Sequence, residues 1–148
     1  MSLKKIAVTA ALLLSAMPTL SQARDTTLYL PFDKVVNEAI RTGKIDRSVK
    51  FYLAGDEPQG KVSVLSAGEV TNKKTNAFNK SDVEACEWVV QSALISLHQA
   101  AKAAGANAVI NIVSFYKRNE RRDATTYECH AGAIMAGVAL KGDLAKVQ

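Results

Sequence analysis

Cysteine is scarce in this chain, with two residues in 148, and that excludes a small fold held together by several disulfides. No CxxC pair and no HExxH run occurs, so neither a zinc site nor a thiol-redox centre is written in the spacing. Charge of one sign is also in short supply. Nineteen basic against 14 acidic residues leave a net charge of +5, far from the strongly basic stripe of a nucleic-acid binder. Prolines number only three, and 48% of the residues are hydrophobic. A chain of that kind buries enough apolar surface to offset its ordering entropy, so it is not of the disordered class. What remains is one globular unit of ordinary composition, preceded by a single apolar run.

That run lies in residues 1–23, MSLKKIAVTAALLLSAMPTLSQA. Lys4 and Lys5 make a basic start, Ile6 to Met17 an apolar stretch, and Ser21-Gln22-Ala23 a small-x-small cut site. Together they predict a secretory signal peptide removed after Ala23. The apolar part is shorter than the roughly 20 residues that span a bilayer, which argues against a retained anchor. No cysteine stands near the cut to accept a lipid. Removal of Lys4 and Lys5, with no acid, takes the net charge from +5 to +3. The expected location is the periplasm, which is oxidising.

In the rest of the chain, Leu28, Tyr29 and Leu30 form a short apolar entry. Asp33 stands where it would cap a brief amphipathic helix carrying Val35, Val36, Ala39 and Ile40, with Gly43 as its stop. Ser48–Leu53 and Lys61–Leu65 alternate apolar and polar on either side of AGDEPQG, which predicts a β-hairpin. Thr71–Lys80 reads as a polar surface loop. Ser81-Asp82-Val83-Glu84 is a capping box. It opens a long helix in which Val83, Cys86, Val90, Ala93, Leu94, Leu97, Ala101 and Ala104 recur at three- and four-residue steps up to Gly105. Glu87, Gln91 and Lys102 are left to face water. Asn107–Tyr116 and Tyr127–Lys141, rich in β-branched or small residues, then read as two antiparallel strands. The expected fold is α+β: a ββαββ antiparallel sheet packed on one long helix, with a short N-terminal helix. Residues 24–80 supply the first helix and the hairpin, and residues 81–142 the long helix and a two-stranded core, as one compact domain.

This layout brings the two cysteines together. A helix over 82–104 is about 35 Å long and a ten-residue strand returns about 33 Å. The last strand therefore starts level with the helix start. Cys86 sits one turn into the helix and Cys129 near the beginning of that strand, so a disulfide across 43 positions is geometrically natural. Two separate buried thiols, or a metal or catalytic role for either, are the alternatives.

The run GANAVINIVSFY, preceded by a helix bearing Cys86 and followed by ECHAGAIMAGVALKG, resembles the C-terminal part of the outer-membrane Rcs stress sensor lipoprotein and, more loosely, the YbjQ-like heavy-metal-binding domains. The resemblance covers about the last 65 residues. In the sensor family a helix cysteine is bridged to one in the final strand, and Cys86 and Cys129 match those positions. This chain departs from the family twice: Met135 stands where a cysteine of the second bridge is expected, and the lipid-acceptor cysteine is missing. The whole chain is similar to small proteobacterial exported proteins, some of which carry an excinuclease ATPase-subunit name. Gly55 to Lys61 (GDEPQGK) does match the first seven places of a phosphate-binding loop. Val62 replaces the magnesium-ligating Ser or Thr, Asp56 and Glu57 repel phosphate, and the segment leads into a strand instead of a helix. No ATPase is expected.

His98, on the helix, and His130, beside Cys129, are weak metal-ligand candidates. Adjacent strand residues face opposite ways, so Cys129 and His130 do not form one mononuclear site. Lys117, Arg118, Arg121 and Arg122 cluster in the loop before the last strand. They form either a solvated turn or a contact for an anionic envelope polymer such as lipopolysaccharide, or for an acidic protein surface. Trp88 near the helix start reads as core, or as an interface anchor if exposed. No catalytic residues and no cofactor are expected. The function expected is a non-enzymatic periplasmic binding or envelope-interaction protein stabilised by one disulfide, without a membrane span after signal removal. The alternative is a YbjQ-like metal-binding or metal-responsive protein. Intact mass spectrometry of the protein recovered from the cell envelope is expected to give a chain beginning at Arg24 and two hydrogens lighter than its reduced form. A product that keeps residues 1–23 contradicts the leader assignment.

Overall fold

The computed structural model describes residues 24–148, and the expected signal peptide lies outside the described residues. In chain order the elements are β1 (Thr26–Pro31), α1 (Phe32–Arg41), β2 (Lys50–Leu53), β3 (Val62–Asn76), α2 (Asp82–Ala103), β4 (Ala108–Ser114), β5 (Thr126–Ala131) and β6 (Met135–Val147). The architecture is mixed, of α+β type: a curled six-stranded sheet with two helices.

The strand β6 organises the sheet. One edge pairs with β3 along its whole length. The other edge pairs first with β5, through Ala136 and Gly137, and then with β4, from Leu140 to Ala145. Beyond these, β1 adds to β5 and β2 to β4. The β2–β4 pair is parallel, so the sheet is mixed and not wholly antiparallel. The connection between them runs through β3 and α2, which gives the long crossover that a parallel pair needs.

The helix α2 begins as its sequence dictates. Ser81 Oγ accepts from the Glu84 amide at 3.1 Å, and Gly105, at φ +74°, turns the chain out after the last turn. Ala85, Cys86, Val89, Val90, Ala93, Leu94, Leu97 and Ala101 are buried against the sheet and α1. Small residues at several of these positions let the helix approach closely. Val83 and Ala104 are exposed and fall outside the stripe. Gln91, expected in water, is buried and accepts from Lys44 Nζ. The helix α1 places Phe32, Val35 and Ala39 in the same core. Its N-cap is Pro31, and Asp33 stands in the first turn without serving as the cap.

Three further sequence expectations are corrected. Segments 48–53 and 61–65 do not pair with each other, because β2 buries Phe51 and Leu53 beside β4 while the exposed residues 62–68 run along β6. Much of Thr71–Lys80 is strand: Thr71 is buried, Lys73 and Thr75 half-buried, and Asn72, Lys74 and Asn76 exposed. That is a period-2 pattern written in polar residues, typical of an edge strand. Tyr127–Lys141 is two strands joined by a tight turn closed by the Gly132 amide on the Met135 carbonyl at 2.8 Å. A side chain at Gly132 would come within 3.0 Å of the Arg24 carbonyl. The strand β4 also carries a bulge between Ile110 and Val113, with Asn111 left-handed at φ +53°. Gly142 lies against this bulge, where a Cβ would meet Val109 Cγ1 at 2.9 Å.

Cys86 and Cys129 form a disulfide, with Cα atoms 5.9 Å apart and 43 positions between them in sequence. Closing a loop of that length removes unfolded-state entropy worth about 4 kcal/mol, comparable with the net stability of a small domain. Replacing both cysteines by alanine is expected to lower the unfolding free energy by about 2–4 kcal/mol in urea titrations. A loss within error of zero contradicts a stapling role.

Candidate functional site

Alternation along β5 decides the site. Tyr127, Cys129 and Ala131 are buried, while Glu128 and His130 are only partly so. With Cys129 tied to α2, His130 must project from the other, helix-free face of the sheet. There its Nε2 donates to Glu128 Oε2 at 2.6 Å. Its Nδ1 lies 3.2 Å from Asp25 Oδ1 and 3.4 Å from Thr27 Oγ1. A neutral ring fits by accepting from the Thr27 hydroxyl, and a charged ring by donating to Asp25. The imidazole also stacks on Tyr116, with centroids 3.5 Å apart and planes 11° from parallel. Only 14% of the His130 side chain is exposed.

The backbone around Tyr116 is built to deliver that ring. Lys117 and Arg118 both take left-handed φ, +52° and +65°, a conformation that costs a non-glycine residue about 1 kcal/mol or more. The Arg118 and Asn119 amides hold the turn by donating to the carbonyls of Phe115 and Tyr116, each at 3.0 Å. Gly137 lies opposite His130 in β6, beside the stack. A Cβ there would lie 3.8 Å from both the Tyr116 ring and Lys74 Cγ. The small residues of this segment therefore serve two faces, with Ala131 and Ala136 buried in the core and Gly137 beside Tyr116.

Tyr116, His130 and Gly137 line a cleft of about 500 Å³ whose other walls include Lys74, Asp25, Arg24 and the apolar turn residues Ile134 and Met135. Arg24 grips both oxygens of Asp82 at 2.7 and 3.0 Å and donates to the Gly132 carbonyl at 3.0 Å. That pairing holds the Asp82 carboxyl below its usual range. It also ties the start of β1 to α2 and to the β5–β6 turn, fixing one end of the cleft. Lys74 has no ion-pair partner among the described residues.

The four basic loop residues do not act as one patch. Lys117 Nζ lies 5.6 Å from the Tyr116 ring centre, beside the cleft. Arg118 lies over Phe115 at 5.4 Å. Arg121 lies over Tyr29 at 4.0 Å and donates to Thr126 and Asp123. Arg122 donates to Asn111. Trp88 is 54% exposed, on the helical side of the sheet and away from Tyr116. Lys44 Nζ lies 4.2 Å and Lys80 Nζ 5.9 Å from its ring centre.

The two histidines are not brought together. His98 Nε2 lies 3.1 Å from Asp46 Oδ1, between α2 and the segment after α1. Asp46 is held well below the carboxylate range, first by the Ser48 hydroxyl and amide and then by His98. The carboxylates at His130 approach opposite ring nitrogens and do not converge on a common point. Among the described residues no group of three or more His, Cys, Asp or Glu side chains is arranged to hold a metal ion. Both thiols are consumed by the bridge. The GDEPQGK segment leads into β3, not into a helix.

Sequence reasoning missed Tyr116, Asp25, Glu128 and Lys74 as members of the site. Glu128 was within reach, because residues two apart in a strand share a face. Lys74 arrives on β3 and Asp25 immediately ahead of β1, strands whose pairing the residue pattern does not reveal. Compared with known proteins, the chain matches no family model, no curated protein and no solved structure.

The turn into β5 is held by Asp123, whose Oδ1 accepts from the Thr125 and Thr126 amides at 2.9 and 2.8 Å. These bonds lower its pKa to about 2. An unfolded aspartate titrates near 3.9, so this contribution to stability is complete above about pH 4 and is lost as the pH falls through about 2. Between pH 4 and 2 the urea midpoint of Asp123→Ala is expected to fall less steeply than that of the unaltered protein. Parallel curves contradict the assignment.

Proposed function

We propose that this protein is a non-enzymatic binding protein of the cell envelope, exported to the periplasm and stapled by Cys86–Cys129, which recognises an anionic envelope polymer at the His130 cleft. The observation that carries this reading is the cleft itself. A histidine–tyrosine stack is held rigid from both ring nitrogens, and Lys74 lines the cleft while Lys117 lies beside it. A disulfide fits an oxidising compartment, and among the described residues no helix is long and apolar enough to cross a membrane. The resemblance of the last 65 or so residues to the Rcs stress sensor family belongs to the same proposal.

Binding is favoured over catalysis by the way the imidazole is used. Nε2 is taken by Glu128, and Nδ1 faces Asp25 and Thr27. A general base needs a nitrogen within hydrogen-bond reach of a substrate proton, and both nitrogens here are occupied. The ring acts as a fixed wall. Left-handed Lys117 and Arg118 beside it are strain of the kind that gathers at recognition sites.

The reading is tested by titrating the purified, oxidised protein with lipopolysaccharide micelles at two salt concentrations. Binding is expected to weaken with salt, since surface charges are screened. Lys74→Glu and Lys117→Glu are each expected to lower affinity by about tenfold, the equivalent of about 1.4 kcal/mol. No binding by the unaltered protein, or affinities unchanged in both variants, overturns the proposal.

A further inference from the structure

The strand β3 spans 15 residues and pairs on one side only, with β6. Its other edge is the longest open main-chain edge among the described strands. An open edge of that length is a template for another strand. Along it Val62, Val64, Leu65 and Val70 are exposed, followed by Phe78 just past its end. Such an edge is normally blunted by charge, proline or a covering element, and here the charges are Glu69, Lys73 and Lys74, of both signs.

The hydrogen-bond parity of β3 is fixed by the structure. Ala77 donates to the Ile134 carbonyl across the β3–β6 pair at 2.6 Å, and from Glu69 to Asn76 the register runs without a shift. Amides alternate in direction along a strand. Glu69, Thr71, Lys73 and Thr75 therefore turn their N–H and C=O groups to β6, while Val70, Asn72 and Lys74 turn theirs outward. The β6 side agrees, since the Met135, Ala139 and Ala145 carbonyls are all spent away from β3.

We infer that two copies of this chain pair antiparallel through the free edge of β3, about a two-fold axis at Thr71. Pairing outward amides with outward amides allows only registers that match even-numbered residues to even-numbered ones. Among these, the register centred on Thr71 lets Val70 of each copy exchange N–H···O bonds with Asn72 of the other. It also sets Glu69 directly across from Lys73, twice by symmetry, in the non-hydrogen-bonded positions where cross-strand side chains lie closest. Neither residue has an ion-pair partner within its own copy among the described residues. A register centred on Lys73 sets like charges against each other, and one centred on Asn72 leaves Glu69 facing Thr75. The contact is isologous, so it closes at two chains and does not propagate into a fibre.

The test is the mass of the purified protein in solution, by light scattering and sedimentation at rising concentration, with circular dichroism as a check of fold. The unaltered protein is expected to run at twice the chain mass. Lys73→Glu and Glu69→Lys, each of which sets like charges face to face, are expected to give monomers. The double exchange Glu69→Lys/Lys73→Glu restores the opposite charges and is expected to restore the dimer. Asn72→Pro removes an outward N–H without touching the β6 ladder, and it is expected to be folded and monomeric. A monomeric unaltered protein, a dimer indifferent to both single reversals, or a double exchange that stays monomeric while folded overturns the inference.

Discussion

The bond between Cys86 and Cys129 does more than close a loop. A strand has two faces, and fixing one residue of β5 to α2 settles the direction of every neighbour. Tyr127 and Ala131 are committed to the core with Cys129, and Glu128 and His130 to the opposite side. A slip of β5 by one residue would bury Glu128 and His130 and expel the tyrosine. The disulfide therefore sets the register of the site as well as the stability of the domain. The His130 cleft is built outward from it, by Tyr116 stacking and by carboxylates at either ring nitrogen.

The second constraint is that β6 serves three partners. It holds β3 on one side and shares its other side between β5 and β4, so the sheet curls where the two sharing strands part company. The bulge at Asn111 and the missing side chain of Gly142 let β4 bend in step with this. One core results from the curl. Phe32 and Val35 of α1, Leu94 and Leu97 of α2, and Val138 and Leu140 of β6 all belong to it. Tyr127 lies in the same core, fully buried and with its hydroxyl unpartnered among the described residues. Burial, with a smaller effect of Glu87, raises its pKa far above the usual range.

The local grammar of this chain was legible where one chemical signal dominated. Ser81 and Gly105 mark both ends of α2, and its apolar steps mark the buried stripe apart from Val83, Ala104 and Gln91. The layout of Cys86 and Cys129 is enough to join them, although the strand carrying Cys129 is less than half the length of Tyr127–Lys141, because a layout argument needs only the end at which each cysteine falls. Pairing partners were not legible. Nothing in Ser48–Leu53 says that its neighbour will be β4 rather than the next segment, and the lysines and asparagines of 71–76 hide a strand behind the composition of a loop. The site inherits this opacity: His130 could be named from sequence, but Tyr116 joins it only through the turn after β4, and Asp25 and Lys74 only through the β1–β5 and β3–β6 pairings.

Trp88, the only tryptophan in the chain, stands half in solvent between Lys44 from the segment after α1 and Lys80 ahead of α2. Ammonium groups so near an indole alter its emission, and both are carried by segments that meet α2 only in the folded chain. Intrinsic fluorescence thus watches the seam between the helices. It is an optical probe placed on the side of the sheet away from the cleft, so a change in its colour separates loosening of the helical layer from events on the opposite surface.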